Sequence, residues 1–295
     1  MKDLNIKAWL QLIRIPNLWT IPADIALAYF LVLIPGQFNP FSLIFLMLIS
    51  SLIYSSGLIL NDLMDYDEDL RERPKRPLPS GDISKGSAWK AYFFMIIGAM
   101  LLALCLSQRT IIITSLLILA VALYNGPSRR LPKLGFVTMG LCRGLNLALG
   151  ASLVMGHNEG FLTLAIIAET LYITAVTYIA YNETDSLPKR LWRWAPAAVV
   201  AVALILLSFI GNADPLGFVA ALAMIAYMYK VTKPLDDESF PIKLIPPKIG
   251  EFIRLLIPIS ATMIFISRPE YCMVSFLLLL SFPIASYTSK LFYSS

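Results

Sequence analysis

Apolar positions along this chain come in long blocks. Ten are legible, over residues 16–34, 41–60, 89–107, 110–125, 135–155, 160–181, 194–211, 215–231, 249–267 and 271–289. A membrane-spanning helix needs about 20 apolar residues and satisfies its own backbone polar groups. A membrane β-barrel would alternate apolar and polar positions in strands of about ten residues, and these blocks do not alternate. The pattern predicts an all-α polytopic membrane protein. The block at 110–125 is short for a span. The one at 249–267 has basic and proline-rich flanks (KLIPPKIGEFIR), so it is expected to be tilted or partly interfacial. Near the N-terminus, Pro16, Asn17, Pro22 and Asp24 interrupt what would be the core of a signal peptide, so the first block reads as an uncleaved span.

Composition agrees. Charged residues make up 15% of the chain, against about 25% in a soluble domain. With the N-terminus on the cytoplasmic side, nearly all Lys and Arg fall in cytoplasmic loops, as the positive-inside bias requires. That bias accounts for the net charge of +5 without a nucleic-acid partner. Cys105, Cys142 and Cys272 lie scattered in apolar blocks, and His157 in a short loop. Neither a disulfide framework nor a zinc spacing results.

The polar stretch that stands out is NDLMDYDED, Asn61–Asp69, at the end of the second block. On a helix continuing that block, Asn61, Asp62, Asp65 and Asp69 fall on one broad stripe. Oxygen ligands without His or Cys suit magnesium or calcium. The basic run RERPKRP follows directly, and its Lys75 and Arg76, held among prolines beside the carboxylates, are candidate phosphate ligands. Arg129, Arg130 and Lys133 in the next cytoplasmic loop, and Lys189 and Arg190 in the one after, are further basic positions of the same kind. Asp67 and Glu68 are expected to be solvated or paired with these bases. A second polar cluster, Asn182, Glu183 and Asp185, ends the sixth block. The two mouths lie four blocks apart, which suggests pseudo-related halves at about 10–125 and 135–231 in a single transmembrane domain over 1–295, with extra C-terminal helices at 249–289.

Ionisable residues inside spans face the bundle interior and mark function by default. Here they are Asp24, Arg143 and Glu169, with Asn17 and Asn146 as polar companions. Arg143 and Asn146, three residues apart, share a helix face. Arg143 either pairs with a carboxylate such as Asp24 or Glu169, or meets an anionic group of a substrate. Gly140, Gly144 and Gly150 around them predict close helix packing.

These motifs resemble the UbiA superfamily of intramembrane prenyltransferases. NDLMDYDED is similar to its NDxxDxxxD signature, and RPLPSG (Arg76–Gly81) to the RPLxSG stretch that follows. RIPN (Arg14–Asn17), and Tyr124 followed by Arg129 and Arg130, add to the likeness, which runs over about residues 10–265. The resemblance implies nine transmembrane helices around a central cavity; the tenth apolar block, after the usual nine, departs from that pattern. It implies Mg2+ at Asn61, Asp62, Asp65 and Asp69, with Asp62 and Asp65 essential, and at a second motif represented by Asn182 and Asp185. A prenyl diphosphate would meet Lys75, Arg76 and Arg130, and Asn17, Arg143 and Asn146 would face a small aromatic acceptor. The family's second motif is DxxxD, and aligning on Asp185 puts Tyr181 in place of its first aspartate. With GLCRGLN, this departure resembles a divergent UbiA-like branch, the EboC proteins, and implies a bacterial inner membrane with the site facing the cytoplasm. A CDP-alcohol phosphotransferase would need a DGxxAR-like stretch, which is absent. A non-catalytic prenyl-lipid-binding or transport protein on the same scaffold stays open.

Overall fold

The structure, a computed structural model, describes residues 5–126, 131–154, 158–181, 189–211 and 213–292. Every regular element among them is a helix. The first block is divided: α1 (Ile6–Leu12) and a short α2 (Ile15–Leu18) precede α3 (Thr20–Val32). The break falls at Arg14, which adopts a left-handed backbone (φ 47°). A non-glycine residue in that region is uncommon and costs of order 1 kcal/mol or more. The helices α4 (Pro40–Met64) and α5 (Tyr66–Glu72) follow, then α6 (Lys85–Leu104), α7 (Gln108–Asn125), α8 (Pro132–Gly150), α9 (Glu159–Tyr181), α10 (Arg190–Ile210) and α11 (Pro215–Thr232). The C-terminal part holds α12 (Ile245–Arg254), α13 (Leu256–Ser267) and α14 (Cys272–Phe292).

Local chemistry sets the helix starts. Asn39 caps α4 by accepting from the backbone N–H groups of Phe41 and Ser42 at 3.0 and 3.2 Å, with Pro40 at the first helical position. Ser84, Ser107 and Asp214 cap α6, α7 and α11 in the same way. Among the described residues nine helical stretches are long and apolar enough to cross a membrane. The 19-residue α8, which carries Arg143 and Asn146, is the tenth long helix. The block expected to be partly interfacial belongs to one of the nine. Its helices α12 and α13 lie within a 26-residue apolar stretch, Ile242–Ser267. The short fourth block forms an 18-residue candidate span, Gln108–Asn125.

The middle of the bundle is α3, which packs against α4, α8, α9 and α13. All its residues except Pro22 are buried, as suits a helix that is apolar all round. On the outside, α14 packs on α13 and reaches α2 and α12. As the chain crosses back and forth, α4, α7, α9, α11 and α14 all end where α5 begins, which is called here the acidic end.

The glycines of α8 do what their spacing predicts. A methyl group on Gly140 would overlap the Thr174 hydroxyl and the Thr170 carbonyl oxygen of α9, and one on Gly150 would lie 2.8 Å from the Ile25 carbonyl oxygen of α3. Gly140→Ala is therefore expected to destabilise the protein by about 1–3 kcal/mol. Its apparent melting temperature in detergent should fall, while Gly86→Ala, at an open position on α6, should not share that fall.

Candidate active site

The second block bends as it emerges. Asp65 closes α4 and opens α5, with φ −87° and ψ 1°. The backbone N–H of Asp65 still donates to the Asn61 carbonyl at 2.9 Å, and that of Asp69 to the Asp65 carbonyl at 2.8 Å. The expected stripe thus runs along a bent helix, and the four residues separate into two pairs. Asn61 Nδ2 donates to Asp65 Oδ2 at 2.7 Å. Asp62 and Asp69, 4% and 3% exposed, converge instead on Arg76. Its Nη1 lies 2.7 Å from Asp69 Oδ2 and 3.8 Å from Asp62 Oδ1. The RPLPSG segment makes this possible: turns after α5 bring Arg76 back over the helix, and Pro77 and Leu78 are buried beneath it.

A second cation joins from the N-terminal segment. Arg14 Nη2 donates to Asp62 Oδ1 at 3.2 Å, so the uncommon left-handed backbone of Arg14 belongs to a residue that reaches the acidic stretch. Arg14 appeared in the sequence only as part of RIPN, with no role attached; its backbone conformation was not visible there. Lys75, by contrast, is exposed and takes no part in the cluster. The sequence placed Lys75 and Arg76 together, but the turn that aims Arg76 inward leaves its neighbour in solvent. Asp67 and Glu68 are exposed, as expected. Arg130, Asn182, Glu183 and Asp185 lie outside the described residues. Tyr181, the last residue of α9, is exposed and packs edge-on against Phe136, 5.3 Å between centroids.

Below this cluster a cavity of about 130 Å³ opens between α2–α3, α4, α7 and α8. The α4 wall is Ser50, Ile53, Tyr54, Gly57, Leu58 and Asn61, a three–four spacing that is one helix face. From Asn61 to Ser50 this wall runs about 16 Å at 1.5 Å per residue. Arg14, Asn61 and Tyr124 line the mouth, while Arg143, Asn146 and Ser50 form the floor.

The floor is a buried polar network centred on Asp24, whose Oδ2 takes the hydrogen bonds while Oδ1 has no partner. Asp24, fully buried, accepts from Arg143 Nη1 and, at 3.0 Å, from Asn146 Nδ2. Arg143 Nη2 donates to Thr20 Oγ1 at 2.9 Å, and the Thr20 hydroxyl donates to the Asn17 carbonyl at 2.8 Å. Ser50 donates to Asn146 Oδ1. The Arg143 guanidinium also sits 5.5 Å from the Tyr54 ring centroid. Of the alternatives left open for Arg143, Asp24 is the partner. Asn146 lines the cavity, but Asn17 does not; it lies beside Tyr54, whose side chain does. Glu169 makes no hydrogen bond to Arg143; it is buried beside Ser260 of α13 at 3.5 Å, still near enough to interact electrostatically with Asp24 and Arg143.

Among the described residues, no three His, Cys, Asp or Glu side chains gather closely enough to hold a metal ion as they stand. The donor set nevertheless suits a hard divalent cation, because Asp62 and Asp69 already share one positive charge through Arg76.

A helical membrane bundle with an aspartate-rich helix end at the mouth of an internal cavity defines the class. Residues 24–238 match the UbiA prenyltransferase family, and the chain belongs to that family. Among curated relatives, it is 28% identical over 170 residues to a digeranylgeranylglyceryl phosphate synthase of Sulfurisphaera tokodaii, spanning 58% of this chain and 60% of that one. A synthase of the same name from Methanoculleus marisnigri is 28% identical over 182 residues, 60% of each chain. The chain thus spans about 60% of the length of these relatives. Among solved structures, a digeranylgeranylglyceryl phosphate synthase superposes with a TM-score of 0.65 over 89% of this chain and 98% of that one, at 18% identity. A UbiA homologue from Archaeoglobus fulgidus bound to DMAPP and Mg2+ gives 0.62 over 86% and 99%, at 15% identity. At these identities the two structures speak for the fold. The relatives are archaeal and lend no support to a bacterial inner membrane.

Proposed function

We propose that this protein transfers a prenyl group from an allylic prenyl diphosphate to a small acceptor within the membrane, releasing pyrophosphate. The observation that carries the reading is the mouth of the cavity, where buried Asp62 and Asp69 converge with Arg76 and Arg14 above a largely apolar space. Asn61, Asp62, Asp65 and Asp69 would hold Mg2+, with Asn182 and Asp185 as ligands from the second mouth. Bound there, the ion supplies charge neutralisation for the departing diphosphate. The chain's own cations, Arg76 and Arg14, add to the positive charge facing the diphosphate oxygens. Apolar walls from Ile21, Ile53, Leu58, Leu117 and Val121 suit an isoprenoid chain and keep water from a cationic allylic carbon.

The neutral, hydrogen-bonding floor at Arg143, Asn146 and Ser50 is the candidate contact for the acceptor. The name borne by the relatives supports a glyceryl phosphate compound over the aromatic ring expected from the sequence. The test is pyrophosphate release by the purified, reconstituted protein. DMAPP and longer prenyl diphosphates would be offered with Mg2+ and either a glyceryl phosphate or a phenolic acceptor. Release dependent on both substrates and on Mg2+ is the expected result. Saturable binding of prenyl diphosphate without release under any pairing would replace this reading with the lipid-binding one.

A further inference from the structure

At the acidic end, and sharing no lining residue with the cavity, a second recess of about 500 Å³ opens between the ends of α11 and α14 and the amphipathic α12. Two features set it apart from an ordinary basic loop. Lys248 and Lys290 face it against one carboxylate, Glu251, so these three side chains leave it one positive charge in excess. Lys248 Nζ meets Glu251 Oε2 at 2.7 Å, whereas Lys290 is exposed and makes no ion pair among the described residues. The other walls are aromatic: Tyr227 of α11, Phe240 of the connecting segment and Phe282 of α14. Tyr227 and Phe282 meet edge to face, 6.5 Å between centroids.

We propose that this recess binds one anionic phospholipid, its phosphodiester held by Lys248 and Lys290 and its acyl chain lying along Phe282 and Tyr227. Basic recesses between membrane helices at the interface suit anionic head groups, each nearby Lys or Arg adding attraction. Aromatic side chains at that depth bridge the polar and apolar zones. A free phosphate would use the cations and leave the aromatic wall unexplained. The site involves none of the residues proposed for prenyl transfer, so it stands whether or not that reading holds.

The full chain, reconstituted in nanodiscs of mixed phosphatidylcholine and phosphatidylglycerol and then extracted, is to be examined by native mass spectrometry for retained lipid. Phosphatidylglycerol is expected to be retained over phosphatidylcholine. Lys290→Gln should weaken that preference about fivefold, and Lys248→Gln with Lys290→Gln about 25-fold. Lys133→Gln removes an exposed cation at the same end of the bundle, on α8, and should leave the preference unchanged. Equal retention of the two lipids would overturn the proposal. So would an equal loss in Lys133→Gln, which would indicate a diffuse surface field, or displacement of the lipid by soluble glycerol phosphate.

Discussion

Asp62→Ala is expected to lower Mg2+-dependent pyrophosphate release by at least about 10²–10³-fold, the loss that follows removal of one group stabilising transition-state charge in a dry site. Asp62 is 4% exposed and within reach of both Arg14 and Arg76, so its removal also leaves two cations without their shared partner. Arg76→Gln should likewise fall by about 10²-fold or more, because it faces both buried aspartates. Lys75→Gln provides the contrast. Its side chain stands in solvent, where substitutions change stability by only about 0.5 kcal/mol, and turnover should stay near that of the parent. Stopped or single-turnover assays with saturating prenyl diphosphate would separate the three. Wild-type turnover in Asp62→Ala, or a Lys75→Gln loss equal to that of Arg76→Gln, would remove the cavity mouth from the mechanism.

The second large effect is expected at the cavity floor. Asp24→Asn leaves the Arg143 guanidinium buried among α3, α4 and α8 without its counter-charge, at a cost of about 3–5 kcal/mol. Arg143→Gln strands Asp24 in the same way. The double variant Asp24→Asn with Arg143→Gln removes both charges and keeps amides able to hydrogen-bond, so it should recover most of the loss. A cycle of thermal or denaturant unfolding in one detergent measures the coupling. If either single variant loses no more than the 0–1 kcal/mol typical of an exposed pair, the floor is not a sealed ion pair. Because the pair is internally neutral, the floor favours an uncharged oxygen of an acceptor over a phosphate, which is better matched by the arginines at the mouth.

Much of this was readable before any coordinates. The apolar blocks announced the helices because a backbone in lipid has to satisfy itself within each segment. NDLMDYDED stood out because carboxylates at a helix mouth are costly, and two of them, Asp62 and Asp69, are buried. The glycines at 140, 144 and 150 announced close packing, and α8 meets α9 and α3 there. What spacing could not supply was which oxygen meets which cation. A straight helix puts Asn61, Asp62, Asp65 and Asp69 on one stripe; the bend at Asp65 pairs Asn61 with Asp65 and turns Asp62 and Asp69 toward Arg76. Lys75 and Arg76 are neighbours with equal claims in the sequence, and only the turn before the buried Pro77 separates them.

By itself, then, the sequence determined the class, the number of long helices and the stretch where carboxylates gather at a helix end, since each depends on local hydropathy and helical period. The tertiary structure alone decided the partners. Arg14 reaches Asp62 across 48 positions of chain, and Arg143 reaches Asp24 across 119. Contacts over such separations depend on how α2, α3, α4 and α8 pack around the cavity, and no local pattern encodes that packing.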